Sequence, residues 1–316
     1  MNEQLSVLHI GGYIRSGSTL LGQLLGELPG VIFVGELKYI WEEGCRRDEL
    51  CGCRQRFSLC PFWREVVREG LAKFDGAELE RVLELQRTVE RMRYLPALAV
   101  ADGTALRRRT GHLLKEYRQL TGELMSAIAR VSGSRIIVDS SKDPAYALVL
   151  SRVPGVALRI LHLTRDSRAV AFSNRRKKPN YRQPGVEELM KTQGPLQSAL
   201  EWSVYNTSCA AIAWLGRRRL RYARIRYEDL ARQPGAVLDA ALRALGLDVR
   251  RDFGFIRDGA AYLKVNHAID GNPGRFAVGR VPISADEAWR EKLSRKERRL
   301  ATLLTWPLLR WYGYRA

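Results

Sequence analysis

No stretch of this 316-residue chain reaches the roughly 18 consecutive apolar residues of a membrane-spanning helix, which excludes a conventional transmembrane segment. Met1-Asn2-Glu3-Gln4 has no basic leader and no small-residue cleavage site, so no secretory signal is expected and the expected location is the cytoplasm. Internal repeats and low-complexity linkers are absent. Disorder is excluded as well, because 46% hydrophobic against 28% charged residues is the balance of a chain that buries a sizeable core. Acidic residues are in deficit: 34 Asp and Glu face 53 Lys and Arg, a formal charge of +19.

Such a balance favours a polyanionic partner, whether nucleic acid, an anionic membrane surface or a phosphate-rich small molecule. It is equally the signature of an arginine-rich solvated surface, because the basic clusters are scattered. They lie at Arg107-Arg108-Arg109, Arg175 to Lys178, Arg217-Arg218-Arg219 and Arg295 to Arg299. No aromatic-basic recognition module accompanies them, so no nucleic-acid partner is expected.

What the chain does have is an α/β rhythm. Leu5 to Ile10 is an apolar strand broken by Gly11-Gly12, and Thr19 to Leu28 resumes with helical spacing until Pro29-Gly30. Val31 to Val34 is a second short strand ending at Gly35-Glu36. A mainly helical pattern follows from Leu37 to about Arg130, with a cysteine-rich turn and a break around Ala101 to Thr104. Strands return at Arg135 to Asp139, Ala157 to Leu163 and Leu220 to Arg226. Helices are expected after Asp143-Pro144, from Arg165, over Val186 to Leu215 and over Ala236 to Leu245. The segment Gly254 to Gly279 is irregular, and a helix then leads to Trp306, Trp311, Tyr312 and Tyr314. This alternation predicts a mostly parallel sheet with ligands at the carboxyl ends of its strands.

The strongest local signal is Gly11-Gly12-Tyr13-Ile14-Arg15-Ser16-Gly17-Ser18-Thr19. A strand entering a glycine-containing loop that opens a helix aims backbone N–H groups and the positive helix end at one anion. Arg15 adds a charge, and Ser18 and Thr19 add hydroxyls. A nucleoside-triphosphate loop requires Gly-Lys-[Ser/Thr]. Here Ser18 follows Gly17, and the cation stands two residues before that glycine. A plain glycine turn is the alternative.

Arg15-Ser16-Gly17-Ser18-Thr19 after a first strand resembles the 5′-phosphosulfate loop of sulfotransferases that use 3′-phosphoadenosine 5′-phosphosulfate (PAPS). Leu161-His162-Leu163-Thr164-Arg165 through Ser173 resembles the 3′-phosphate motif of the same family, with an arginine ending a strand and a serine on the next helix. Arg165 offers a planar fork for a phosphate, and Ser173, two turns on, offers a hydroxyl near the same helical face. Arg226-Tyr227-Glu228-Asp229-Leu230 matches more weakly. The motifs are closer to bacterial and protein-tyrosine sulfotransferases than to the cytosolic animal enzymes. The resemblance implies an α/β fold, a P-loop-like three-layer sandwich with a central, mostly parallel sheet and a helical insertion at about 37–131, forming one domain.

The implied activity is sulfuryl transfer from PAPS, without a required metal, to a hydroxyl of a small-molecule, lipid or glycan acceptor, leaving adenosine 3′,5′-bisphosphate. That chemistry needs a base, cations on the transferred group and a donor for the departing phosphate. Glu36 is the candidate base. It would stand beside the phosphate loop if its strand neighbours the first, and capping the following helix is its alternative role. Lys142 is implied at the bridging or sulfonate oxygen, with Ser140 and Ser141 weaker. The cofactor-binding set is Arg15, Ser16, Gly17, Ser18, Thr19, Arg165 and Ser173, with Arg275 matched loosely through Gly271 to Phe276. His267 is the runner-up base. Rival readings are a P-loop-type ATP-dependent kinase, against which the missing Gly-Lys-[Ser/Thr] argues, and a basic nucleic-acid-binding protein, whose duplex binding would depend steeply on salt.

Cys45, Cys51, Cys53 and Cys60 do not form paired C-x2-4-C units, and no histidine is near them in sequence. Packed thiols in a helical cap are expected, with a metal site or a disulfide as alternatives; Cys209 is expected in the core. The aromatic tail is expected to dock against the sheet, and Arg310 and Arg315 permit peripheral membrane contact.

Overall fold

The computed structural model describes residues 4–70, 76–90, 92, 105–183, 185–216 and 220–315. The expected break at 101–104 and the arginines at 217–219 lie outside the described residues, as do the side chains of Arg107, Arg108 and Arg109.

Five parallel strands form the centre of the molecule: β1 (Leu5–Gly12), β2 (Val31–Phe33), β3 (Ile136–Lys142), β4 (Val156–Thr164) and β7 (Arg221–Arg226), in the order β2-β3-β1-β4-β7. The alternation of side chains along each strand divides the interior in two. Val7, Ile137, Leu158 and Ile160 face one layer of helices, while Leu8, Ile10, Val138, Leu161 and Leu163 face the other.

The first layer holds α4 (Ala105–Ser132), α5 (Pro144–Leu150) and α7 (Pro195–Leu215), which contribute Leu124, Met125, Ile128, Val149, Cys209 and Ile212. The second holds α1 (Ser18–Gly26) and α9 (Pro234–Ala244), through Leu21, Leu24, Leu25, Leu238 and Leu242. Strands buried on both faces read as continuous apolar runs, which is why they were conspicuous in the sequence. The fold is therefore the expected three-layer α/β sandwich, with Cys209 in its core as expected.

Between β2 and β3 the chain forms one-turn helices at Leu37–Tyr39 and Phe57–Leu59 and a short π-helix at Ile40–Arg46, then α2 (Pro61–Gly70), α3 (Gly76–Val89) and α4. This is the helical insertion. α5 starts as predicted: the Asp143 carboxylate accepts from the Ala145 and Tyr146 amides at 2.8 and 3.0 Å, and Pro144 occupies the first turn. α6 (Ser167–Asn174) is capped by Asp166.

Two expectations need correction. Val186 to Leu215 is not one helix: β5 (Pro179–Gln183) and β6 (Val186–Leu189) make an antiparallel hairpin before α7. Gly185, in left-handed backbone at φ 73°, lies between the two strands. Second, β2 pairs with β3 and not with β1, so Glu36 stands beside Lys142 at the end of β3 instead of beside the phosphate loop.

After α8 (Tyr227–Arg232) and α9, the stretch expected to be irregular contains β8 (Ile256–Arg257) and β9 (Ala260–Leu263), which pair with β10 (Gly279–Pro282) in a small antiparallel sheet. Two more helices follow, α10 (Trp289–Lys292) and α11 (Arg295–Trp311). α11 packs on α6 and α7. Beyond it, buried Tyr312 reaches the sheet, its ring edge-on to His162 of β4 at 5.7 Å. Among the described residues no helix is long and apolar enough to cross a membrane.

Candidate functional site

The carboxyl ends of all five parallel strands open into one cavity of about 790 Å³. Each strand delivers a polar side chain there: Arg15 after β1, Glu36 after β2, Lys142 at the end of β3, Arg165 after β4 and Tyr227 after β7. Gly17, Ser18, Thr19 and Ser173 line the same space. Ligands of open parallel sheets bind at this edge because every crossover loop ends there.

The phosphate loop is shaped by backbone that turns left-handed twice, at Arg15 (φ 63°) and Gly17 (φ 95°). At Gly17 no other residue fits, since a Cβ would run into the Tyr227 ring. The loop then opens α1, whose first N–H groups have no intrahelical partner. Arg165 joins the loop directly: its Nη1 donates to the Arg15 carbonyl oxygen at 2.9 Å, and its guanidinium lies 4.6 Å from the centre of the Tyr227 ring. The two motifs, 150 residues apart, are thus hydrogen-bonded to each other.

Three buried polar atoms here find no hydrogen-bond partner among the described residues: Arg15 Nη1, Arg165 Nε and Ser16 Oγ. Orphaned buried donors are rare in proteins, and two of these belong to cations. Burial lowers the pKa of Arg15. It also lowers that of Lys178, which lines the cavity and is pushed further down by Arg15, Arg176 and Arg165. This end of the cavity is a site of concentrated positive charge, and an anion relieves it.

At the end of β3, next to β1, Lys142, in left-handed backbone at φ 63°, donates to Glu36 Oε1 and to the Ser140 carbonyl oxygen, both at 2.6 Å. Burial raises the pKa of Glu36, the Lys142 ammonium pulls it back, and the neighbouring Asp270 raises it again. The net direction is upward. Glu36 makes no side-chain cap on the helix at Leu37, so the capping alternative is not observed. The Glu36 amide donates to the Ile269 carbonyl oxygen at 2.8 Å, and the Ile269 amide to Val34, which fixes the carboxylate from below. Ser141 instead caps inward: its N–H and hydroxyl both donate to Asp139.

Beyond Glu36 the cavity is walled by Tyr39, Glu43, Arg47, Arg182 and Asp270. Arg182 sits among Glu43 at 3.1 Å, Glu49 at 3.4 Å and Asp270 at 3.3 Å. The Glu49 carboxyl is pushed up to about 8 by burial and by its hydrogen bond with Glu43, against the pull of Arg182.

Most residues singled out in the sequence converge here; Ser16, Arg275, His267 and the weaker candidates Ser140 and Ser141 do not. Ser16 is buried and does not line the cavity. Arg275 is fully buried, donating to the carbonyl oxygens of Gly271 at 2.9 Å and Leu50 at 3.4 Å; its loop reaches the cavity through Gly271, Asn272 and Gly274 instead. His267 faces away, toward Cys51 and Cys60, which lie more than 200 residues from it in sequence. Lys178, Arg182, Tyr39, Arg47 and Asp270 were missed. Lys178 had a signal, since it ends the Arg175 to Lys178 cluster; the others had none, because they belong to segments without a motif.

A family model described as "Sulfotransferase family" matches residues 8–251. Among curated proteins, carbohydrate sulfotransferase 7 of Mus musculus is 25% identical over 357 aligned positions, covering 95% of this chain and 72% of the mouse protein. Among solved structures, the sulfotransferase domain from the Synechococcus PCC 7002 olefin synthase covers 96% of each chain at 20% identity, with a TM-score of 0.45. Retinol dehydratase in complex with retinol and PAP covers 99% of this chain and 84% of its own at 14% identity, with a TM-score of 0.38. With a match across most of its length, the strand-end loops included, the chain belongs to the sulfotransferase family.

Proposed function

We propose that the chain transfers a sulfuryl group from PAPS to a hydroxyl of a small-molecule, lipid or glycan acceptor. One observation carries this reading: the two phosphate-binding junctions line a single cavity and are bonded to each other through Arg165 and the Arg15 carbonyl oxygen. PAPS, when bound, supplies an activated sulfuryl group on a phosphate leaving group. The orphaned donors of Arg15 and Arg165, and the Gly17 cradle that a Cβ would fill, suit such a ligand.

In this reading Arg15, Ser18, Thr19 and the α1 N-terminus hold the 5′ end, while Arg165, Ser173 and Lys178 hold the 3′-phosphate. Lys142 neutralises charge on the transferred group. Glu36 accepts the proton of the acceptor hydroxyl, and its raised pKa makes it a stronger base than an exposed carboxylate. Glu43, Arg182 and Asp270 present both acceptors and donors to the incoming molecule, which favours a polar, hydroxyl-bearing acceptor.

Calorimetric titration in the absence of magnesium tests the donor assignment. Adenosine 3′,5′-bisphosphate is expected to bind in preference to ATP; preferential binding of ATP would instead support the kinase reading. Transfer of labelled sulfate from PAPS across alcohol, phenol, glycolipid and carbohydrate panels then identifies the acceptor.

A further inference from the structure

The structure assigns a metal site to Cys51, Cys53, Cys60 and His267, suited to zinc or another thiophilic divalent ion. Three thiols and one imidazole nitrogen lie within 4.8 Å of one another. Cys53 Sγ is 3.6 Å from Cys60 Sγ, and His267 Nδ1 is 3.7 Å from Cys51 Sγ and 3.3 Å from Cys60 Sγ. A tetrahedral zinc with Zn–S near 2.3 Å and Zn–N near 2.0–2.1 Å sets edges of about 3.8 Å between sulfurs and about 3.6 Å between sulfur and nitrogen. These three separations are close to those edges, and the remaining pairs lie within 4.8 Å. Thiols that merely fill a core have no reason to converge on one imidazole nitrogen.

The surroundings hold the four ligands in place. Cys51 and Arg54 close a tight turn, with Cys51 N donating to Gln55 O and Arg54 N donating to Cys51 O, both at 2.8 Å. Gly52 between the first two cysteines lies against Asn266, whose side-chain oxygen a Cβ would strike. Trp63 Nε1 donates to the His267 carbonyl oxygen at 2.9 Å, and the Phe62 ring stacks on the imidazole at 4.8 Å, 18° from parallel. Cys51 and Cys60 are buried, Cys53 and His267 half-buried. Four protein ligands make the site closed, the arrangement of a structural ion.

Its position gives it a task. The ion would clamp the cysteine turn at the start of the insertion to the segment Asn266–Asp270, which arrives from more than 200 residues away. The Ile269 carbonyl oxygen on that segment receives the Glu36 amide, and Asp270 lines the cavity. The metal site therefore sets the backbone under the candidate base without reaching the cavity itself.

The test needs neither donor nor acceptor. The full chain is purified under reducing conditions, its metal content is measured by plasma mass spectrometry, and the apo form is reloaded with cobalt. One ion per chain is expected, with thiolate-to-cobalt charge-transfer absorption and visible bands of tetrahedral intensity. Cys60→Ser is expected to lose the ion, while Cys45→Ser and Cys209→Ser keep it. A chelator is expected to expose three further thiols to a thiol reagent and to lower the melting midpoint. The assignment is overturned by a chain that stays metal-free after incubation with zinc, by a cobalt spectrum without thiolate bands, or by a Cys53–Cys60 disulfide in the reduced preparation. Because the cobalt spectrum is read on the unsubstituted chain, a misfolded Cys60→Ser variant leaves the test intact.

Discussion

The two ends of the cavity are built in opposite ways. The anion end is made by residues that follow directly on strands: Arg15, Ser18 and Thr19 after β1, Arg165 and Ser173 after β4. Each is fixed by a short junction whose geometry is set locally, and a single hydrogen bond joins the two junctions. The other end is assembled from distant pieces: Tyr39 and Glu43 from the insertion, Arg182 from the β5–β6 hairpin and Asp270 from the segment beside β2. Three carboxylates share one guanidinium there. In the proposed reading, one end holds the fixed donor on rigid scaffold, and the other, built from segments outside the sheet, meets the acceptor. Glu36 and Lys142 lie on the boundary.

The largest expected effect comes from that boundary. Glu36→Gln should lower turnover by about 10²–10⁴-fold, the range for a lost general base, while bisphosphate affinity stays at the parental value. A base must be ionised to act, so the rate rises with pH through the Glu36 pKa. That limb should lie above the ordinary carboxylate range, because burial outweighs Lys142. Lys142→Ala removes the opposing charge and should move the limb to higher pH still. A Glu36→Gln variant with parental turnover would transfer the base role elsewhere.

Next come the anion-end arginines. Arg15→Ala and Arg165→Ala should each weaken bisphosphate binding by roughly 1.5–3 kcal/mol, the worth of a charge-assisted contact, or roughly 10- to 150-fold. Acceptor KM should be unaffected if the two ends are independent. Arg165→Ala also removes the bond to the Arg15 carbonyl oxygen, so the double variant should lose less than the sum. Arg182→Ala breaks the symmetry from the other side. It should raise acceptor KM by roughly fivefold, about 1 kcal/mol, with donor affinity unchanged. If Arg182→Ala weakens bisphosphate binding as strongly, the division into two ends is wrong.

The same division explains what the sequence disclosed. A junction such as Gly11 to Thr19 is legible because strand, turn and helix are consecutive, and the chemistry is complete within nine residues. The five strands were legible because strands covered on both faces are uninterrupted apolar runs. Their spatial order was not, so the place of Glu36 hung on whether β2 neighbours β1, and β3 lies between them. Arg275 was matched through its glycines, yet a loop pattern fixes the backbone path and leaves open which way the arginine turns; here it turns inward. Likewise His267 is 207 residues from Cys60, and no spacing rule reaches across that distance. The second strand of the hairpin that brings Arg182 was read as helix because Val186 to Leu215 contains enough apolar residues to suggest one long period.

The smallest expected effect tests whether the insertion behind the acceptor end can be altered without touching either ligand. Buried Glu90 accepts from the Tyr117 hydroxyl at 2.6 Å and from Gln86 at 3.1 Å, with Lys38 at 3.5 Å and Asp143 beyond it on the same lysine. Burial raises its pKa to about 7, and Lys38 and the two hydrogen bonds only partly oppose this. A carboxyl whose folded pKa is raised stabilises the fold fully below its unfolded value near 4.3, and that contribution is lost as pH rises through about 7. Glu90→Gln keeps an acceptor for Tyr117 but carries no proton to lose. The melting midpoint of the parent, taken relative to the variant, should therefore fall between about pH 4.5 and pH 7 by a few degrees and level off above, while acceptor KM and bisphosphate affinity stay parental. A parent-minus-variant difference that is flat with pH would mean that Glu90 is ionised throughout and that its ion pair with Lys38 outweighs burial. A changed acceptor KM would mean that the insertion is not a passive wall, since Gln86 holds the Lys38 carbonyl oxygen next to Tyr39 at the cavity.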